Sequence, residues 1–230
     1  MPATVKSLRK RRARGSLSRQ QVVDMALEIA DAEGVEALSM PTLAGRLDCG
    51  VMTIYGHIDG KEDLLDAIAQ RGLRDLRLPR PVPGNAEAIL ISWGRSLRLN
   101  LLEHPSLPVI FLSRAVIGPD IFRGLEALLD GLARAGMPPA MGVHAVYAVL
   151  IYATGFVSWE IPRTLRQSES AYATSWRRAF SDLSPAEFPM VESVLDELPQ
   201  VAGADQFELG LIALAKGLAG DPAKARTPSP

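Results

Sequence analysis

The chain contains very little cysteine or histidine. Its 230 residues include one cysteine, Cys49, so no disulfide can form within the chain, which is typical of a protein in a reducing cytoplasm. The three histidines, His57, His104 and His144, are far apart in the sequence. A P-loop, a Gly-x-Ser-x-Gly elbow, a His-Glu-x-x-His motif and paired-cysteine motifs are all absent. We therefore expect neither an enzyme nor a bound metal or cofactor.

Long apolar runs are also scarce. Residues 143–159 form one long, nearly uncharged stretch, but His144, Thr154, Gly155 and Ser158 interrupt it. It is shorter than the roughly 20 residues that a membrane span requires. The basic N-terminus is not followed by the apolar segment of a signal peptide. We expect a cytoplasmic protein with no membrane partner, in which residues 143–159 form a helix buried in a core or a dimer interface.

Positive charge is unevenly distributed along the chain. The formal net charge is −1, yet residues 1–19 contain no acidic residue. The remainder carries 18 of the 25 bases and all 26 acids, a net charge of −8. This polarity is typical of a protein that contacts phosphate with one end only. The bases of the first segment are Lys6, Arg9, Lys10, Arg11, Arg12, Arg14 and Arg19.

Apolar residues recur at helical spacing, with no convincing strand, so the expected fold class is all-α. Three prolines between residues 78 and 84 stop any helix there and separate two domains. We expect a disordered basic arm (1–17), an N-terminal three-helix helix-turn-helix head (18–77), a larger helical domain (85–220) and a loose tail (221–230). The expected helices span about 18–33, 40–47, 51–58 and 61–75, then 86–103, 106–114, 119–135, 139–161, 172–180, 186–198 and 205–219.

Residues 39–58 have the pattern of a helix-turn-helix. Ser39 can cap the first helix, and residues 48–50 supply a short turn that ends in glycine. In the second helix Ile54 and Ile58 share one face and can point into a core. That helix is too short to be stable alone, so its neighbours must brace it. The residues left on its other faces are Met52, Thr53, Tyr55, Gly56 and His57.

This segment resembles the N-terminal domain of the TetR family of bacterial transcriptional repressors. The resemblance covers residues 18–75 and rests on SMPTLAGRL at 39–47, TIYGHI at 53–58 and GKEDLL at 60–65. Residues 86–163 resemble the ligand-binding domain of the tetracycline-repressor branch, through Trp93, LEHP at 102–105 and GFV at 155–157. The resemblance implies a homodimeric repressor that binds a near-palindromic DNA operator and is released by a small-molecule effector.

The resemblance also assigns roles in DNA recognition. Thr53 matches a base-reading position, and Met52 and Val51 lie at base-facing positions, although the spacing of Val51 to Ile54 also permits a core role. Pro41 replaces a base-reading arginine of the tetracycline repressor and Gly56 replaces a bulky aromatic, so we do not expect recognition of the tetracycline operator. Candidate phosphate contacts are Thr42, Tyr55, His57 and Lys61, and the arm residues Arg9, Arg11 and Arg12 are candidates for the minor groove.

The larger domain is expected to bind the effector and the second subunit. The dimer contacts are expected on the helices near 139–161 and 205–219. Matching on Gly155 places Trp159 where the tetracycline repressor has the glutamate of its magnesium–drug site, and an aromatic side chain cannot ligate a hard cation. We therefore expect an apolar or aromatic effector without metal. Its candidate contacts, each of which can also be an ordinary core residue, are Trp93, His104, Phe111, Tyr147, Tyr152, Phe156 and Trp159.

We hypothesise that the effector acts by a population shift. The helix near 61–75 joins the effector site to the head, and its movement would change the spacing of the two heads. The alternative is an effector-independent DNA-binding activator or architectural protein, whose larger domain would be fully packed.

Overall fold

The computed structural model describes residues 17–74, 85–164 and 168–220. These residues form helices and turns without a strand, so the expected all-α class is confirmed. The basic arm, the proline-containing boundary and the C-terminal tail lie outside the described residues. The helices are α1 (Arg19–Glu33), α2 (Met40–Arg46), α3 (Val51–Tyr55), α4 (Lys61–Arg74), α5 (Ala86–Glu103), α6 (Leu107–Ser113), α7 (Pro119–Arg134), α8 (Pro139–Thr164), α9 (Glu169–Ser181), α10 (Pro189–Ser193) and α11 (Ala204–Ala219).

Helix α1 begins and ends with the capping residues that the sequence predicts. The Ser18 hydroxyl accepts a hydrogen bond from the Gln21 amide, and the Gln21 side chain accepts one from the Ser18 amide, which completes a capping box. At the other end Gly34 has φ of +91°, in the left-handed region, and its amide bonds to the Ala30 carbonyl. The buried face of α1 packs on α2 and α4.

Helices α2 and α3 form the helix-turn-helix. The Ser39 hydroxyl caps α2 by accepting from the Thr42 amide, and Asp48 takes φ of +51° in the turn, which short polar side chains tolerate. Helix α3 ends at Tyr55 rather than at residue 58, because the His57 amide bonds to the Ile54 carbonyl three residues back. Ile54 and Ile58 are nevertheless both buried, as the sequence predicts.

Helix α4 belongs to both halves of the molecule. It packs on α1 within the head and on α6 and α7 of the larger domain. At Gly72 the backbone of α4 approaches α6 so closely that a Cβ would lie 2.7 Å from Leu107 Cδ2, a separation that packed atoms do not tolerate. A glycine at this position therefore permits the contact between α4 and α6.

The larger domain is built around α8, which packs against α5, α7, α6 and α11. Gly94 of α5 and Gly210 of α11 allow close packing, since a Cβ on Gly94 would lie 2.5 Å from Leu211 Cδ1 and one on Gly210 would overlap the Tyr152 hydroxyl.

In the larger domain three expected helix boundaries were wrong. Helix α8 continues through Pro162 to Thr164, with side chains of Arg163 and Thr164 hydrogen-bonded to carbonyls of the preceding turn.

The other two differences lie after α8. Helix α9 begins at Glu169 rather than near residue 172, because Ser168 caps it by accepting from the Ala171 amide. The helix expected at 186–198 is divided into the short α10 and a 3-10 helix, Leu198–Ala202. Pro199 stands in that second piece, where its missing N–H disfavours continuation of a regular α-helix.

Candidate DNA-binding surface and effector-binding core

Helix α3 presents an exposed face beside a buried one. Met52 is 80% exposed, Tyr55 is 48% exposed and Thr53 is also exposed, whereas Ile54 between them is fully buried. Val51 is half-buried and packs against the core of the head. This environment agrees with the core role that its spacing to Ile54 permits. The exposed face can therefore meet a DNA groove without disturbing the packing of the head.

The other predicted phosphate contacts lie on α2, just after α3 and at the start of α4. His57 and Thr42 are half-buried, and the Thr42 hydroxyl lies 2.7 Å from that of Ser39. Lys61 is exposed as the first residue of α4, where the amides of a helix N-terminus favour an anion. Near it, Asp63 accepts hydrogen bonds from the Asp59 amide and from Arg19. Arg9, Arg11 and Arg12 lie outside the described residues.

Three of the predicted effector contacts form one aromatic cluster. The Tyr152 and Phe156 rings lie 5.4 and 5.3 Å from the ring of Phe207 on α11, and Trp159 lies 6.1 Å from Phe156. The Tyr152 hydroxyl donates to the Phe207 carbonyl at 3.0 Å, and burial raises the pKa of Tyr152. Phe207 is fully buried, so this cluster joins α8 to α11.

An ion pair that the sequence analysis missed borders this cluster. Arg98 Nε donates to Glu160 Oε2 at 3.0 Å, and a second bond makes the pair bidentate. Glu160 is 3% exposed, and the Arg98 guanidinium lies 5.2 Å from the Phe207 ring centre, a cation–π distance. Arg98 therefore links α5, α8 and α11. The available signal in the sequence for this ion pair was the charge of Glu160 inside an otherwise apolar helical pattern.

The remaining predicted effector contacts are elsewhere. Tyr147 is 48% exposed and faces outward, because it stands four residues from both Val143 and Ile151 on the exposed side of α8. His104 bonds through Nδ1 to Asp31 of α1 at 2.8 Å, so its polar group is used between the domains. Trp93 is buried on α5 and Phe111 is half-buried on α6. The seven residues do not form a single site.

Besides Arg114 Nε, three buried polar atoms of the larger domain have no hydrogen-bond partner within the described part of the chain. They are Trp93 Nε1, Asn100 Oδ1 and Thr154 Oγ1, on residues no more than 7% exposed. Trp93 and Asn100 are two turns apart, on one face of α5. Ile89 shares that face and approaches Gly131 of α7. Buried polar atoms are normally paired, so these three can accept a partner that is not part of the protein.

Two clefts border the head, away from these polar atoms. One, of about 320 Å³, lies between α1 and α4 and includes Arg19, Arg71 and Arg74. The other, of about 470 Å³, lies between residues 30–36 of the head and Pro105, Ser106, Val109 and Ile161.

Helices α8 and α11 expose an apolar surface. Its members are Val143, Tyr147, Ile151, Leu209 and Ile212, each between 37% and 66% exposed. By length and composition alone α8 could also cross a membrane, but buried helices of ordinary domains meet the same criteria. The opposite face of α8 is buried against α5 and α7 and includes Glu160, and a charge at such a depth is costly in lipid.

Polar contacts fasten α4 of the head to the segment after α6. Arg114, whose side chain is 14% exposed, donates to the Glu62 carbonyl at 2.9 Å and to Asp66 at 3.0 Å, and also pairs with the Glu62 carboxylate. Farther along α4, Arg74 pairs with Asp120 at 2.9 Å. The orientation of α4 is thus tied to the residue after α6 and to the first turn of α7.

A helix-turn-helix head on a helical core, with an exposed recognition face, defines a DNA-binding regulator. Residues 78–221 match the family model of the tetracyclin repressor-like C-terminal domain. The chain therefore belongs to the TetR family of transcriptional regulators, a family of regulators rather than enzymes.

Relatives and solved structures extend this match to 90% of the chain. The repressor DrrR1 of Streptomyces coeruleorubidus is 32% identical over 181 residues, which cover 78% of this chain and 65% of that protein, under two thirds of its length. The class D tetracycline repressor of Escherichia coli is 28% identical, over 87% of this chain and 88% of its own. ActR of Streptomyces coelicolor, solved in complex with actinorhodin, superposes with a TM-score of 0.78 at 28% identity, over 90% of this chain and 99% of its own.

Proposed function

We propose that the protein is a cytoplasmic, homodimeric repressor that binds a near-palindromic operator through α3 and leaves it when a small molecule binds the larger domain. The observation that carries the DNA-binding part is the exposure of Met52, Thr53 and Tyr55 on a short helix whose neighbouring Ile54 is fully buried. The names of the relatives support repression, since DrrR1 and the class D protein are both described as repressors.

The dimer is proposed from the apolar surface of α8 and α11. An exposed surface of large apolar side chains on two adjacent long helices marks a protein–protein interface. Pairing it with its copy across a two-fold axis gives a four-helix interface and sets the separation of the two α3 helices. One turn of DNA requires a separation of about 34–36 Å. Sedimentation of the full chain tests the dimer, and Ile151→Glu is expected to give monomers.

For the effector we propose an aromatic, uncharged molecule that offers hydrogen bonds. Trp93 Nε1, Asn100 Oδ1 and Thr154 Oγ1 supply a donor, an acceptor and a hydroxyl that have no partner in the described ranges of the chain. The buried charges of the region, Arg98 and Glu160, already satisfy one another, which disfavours a charged ligand. Phe111, Phe156 and Trp159 remain candidates for apolar contacts. ActR, which was solved in complex with actinorhodin, is a precedent for a small-molecule ligand on this fold.

The DNA-binding proposal is tested by selecting operators from randomised duplexes with the full chain and measuring affinity by fluorescence anisotropy at several salt concentrations. Thr53→Ala is expected to weaken binding to the selected operator by about 1–3 kcal/mol and to relax specificity at one base pair. Lys61→Ala is the matched variant at a phosphate contact. It should weaken binding to all DNA sequences alike and reduce the slope of log affinity against log salt concentration by about one. Equal affinity for all DNA would instead favour the architectural alternative.

The effector proposal is tested with Thr154→Val, which removes the unpaired hydroxyl at constant shape. The probes are 1,8-dihydroxyanthraquinone, which is neutral, and anthraquinone-2-sulfonate, which carries a negative charge. The neutral probe is expected to bind and to displace the protein from its operator, and Thr154→Val should bind it less tightly while folding normally. Tighter binding of the sulfonate would contradict the proposal of an uncharged effector.

A further inference from the structure

Asp31, near the C-terminal end of α1, makes three hydrogen bonds to the larger domain. Its Oδ1 accepts from the Ser106 amide at 3.0 Å and from the Ser106 hydroxyl at 2.6 Å, and its Oδ2 lies 2.8 Å from His104 Nδ1. Its side chain is 18% exposed and that of His104 is 20% exposed, while Ser106 is 4% exposed. The corner between α5 and α6 therefore holds this carboxylate from two sides.

Nothing in the described part of the head (17–74) accounts for a carboxylate at this position. Asp31 lies in the last turn of α1, where the helix dipole disfavours negative charge, and α1 has no basic residue in that turn. By contrast, Asp24 on the same helix pairs within the head, with Arg71 of α4 at 2.7 Å. Asp31 is locally unfavourable for its own helix and is satisfied by donors of the other domain.

The corner that holds Asp31 is one end of α6, and the other end is also fastened to the head. Arg114, directly after α6, binds Glu62 and Asp66 of α4, whereas His104 and Ser106, directly before α6, bind α1. Leu107 of α6 packs on Gly72 of α4 between these attachments. The head is thus attached at both ends of one short helix, through two different helices of its own.

We propose that Asp31 is a positioning residue for DNA binding, which fixes the orientation of the head by attaching α1 to the 104–106 corner. With α4 attached alone, the head could rotate about that helix; attachment of α1 removes this freedom. Two heads held rigidly can meet both half-sites at once, whereas two loosely held heads are in the competent arrangement only part of the time. The inference rests on the proposed repressor function and adds a second attachment to it.

The test compares Asp31→Ala with Asp24→Ala, which breaks an ion pair of the same helix inside the head. Asp31→Asn is the conservative variant, because an amide oxygen can accept from Ser106 and its NH2 can donate to an unprotonated His104 Nδ1. Each full-length variant is measured against the selected operator, against its single half-site and against unrelated DNA. Hydrogen exchange at the Ser106 amide, followed without DNA, reports whether the attachment itself is broken.

Asp31→Ala is expected to bind the full operator about tenfold less tightly, equivalent to about 1.4 kcal/mol. Its affinities for the half-site and for unrelated DNA should not change, and Ser106 exchange should accelerate. Asp31→Asn should restore most of the operator affinity. Asp24→Ala is expected to lower the unfolding temperature by a similar amount but to retain the ratio of operator to half-site affinity. A merely structural role of Asp31 would leave that ratio unchanged in both variants.

Two results would overturn the positioning role. In the first, Ser106 exchange accelerates in Asp31→Ala while operator affinity stays within about twofold of the parent, so that the attachment exists without affecting DNA binding. In the second, operator and half-site affinities fall equally, which reflects damage to the head. Failure of the proposed function is recognised separately, because the parent chain would then select no operator, and the positioning role would fall with it.

Discussion

The head and the larger domain use polar residues in different ways. In the head the core is apolar, and the ion pairs Arg19–Asp63 and Arg46–Glu33 lie at its surface. Among the described residues, those that are both polar and buried all belong to the larger domain: Asn100, Ser106, Thr154 and Glu160. Some are paired across helices, and others have no partner among the residues that the structure describes.

This difference matches the different tasks of the two regions. A DNA-reading head needs one rigid shape, and an apolar core under an exposed helix supplies it. A domain that responds to a ligand needs a second state of similar free energy, and buried polar groups without internal partners are destabilising until a ligand supplies a partner. The larger domain therefore contains the features from which a switch can be made, whereas the head contains few of them.

The largest effect is expected from Glu160→Ala, which leaves Arg98 buried without its partner. Removal of one member of a buried pair costs about 3–5 kcal/mol. The matched control is Glu208→Ala, since Glu208 pairs bidentately with Arg95, whose side chain is 55% exposed, and exposed pairs contribute about 0–1 kcal/mol. The measurement is urea unfolding at one fixed protein concentration. Equal losses of unfolding free energy in the two variants would contradict the expected difference between the buried and the surface ion pair.

A smaller effect is expected from Gly72→Ala at the contact between the regions. The added methyl would overlap Leu107, and overpacking of this kind costs about 1–3 kcal/mol. Gly45→Ala on α2 is the control, because a Cβ there has no neighbour within 4 Å and alanine is favoured over glycine in a helix by roughly 1 kcal/mol. The unfolding temperature should therefore fall for Gly72→Ala and rise for Gly45→Ala. A rise for both variants would mean that α4 and α6 are loosely packed.

The sequence predicted the head better than the larger domain, for a physical reason. The Ser18 and Ser39 caps, the end of α1 at Gly34 and the burial of Ile54 depend on residues within a few positions of one another. The Arg98–Glu160 pair joins residues 62 apart, and the His104–Asp31 bond joins residues 73 apart. Periodicity identifies the helix on which such a residue lies but not the partner across the core. For this reason the sequence predicted His104 at the effector site, whereas the structure places it between the two domains.

The smallest effect concerns pH and the surface attachment of α4 to α7. Hydrogen bonds from Arg74 and Arg123 lower the pKa of Asp120. A lowered folded-state pKa contributes stability that is complete above the unfolded value, about 3.9, and is lost as pH falls through the folded value. Asp120→Asn should therefore be less stable than the parent at pH 7, by less than about 1 kcal/mol because Arg74 is exposed. Urea unfolding at several pH values should show this difference shrinking in acid; a difference that persists at the lowest pH would assign the role of Asp120 to packing rather than charge.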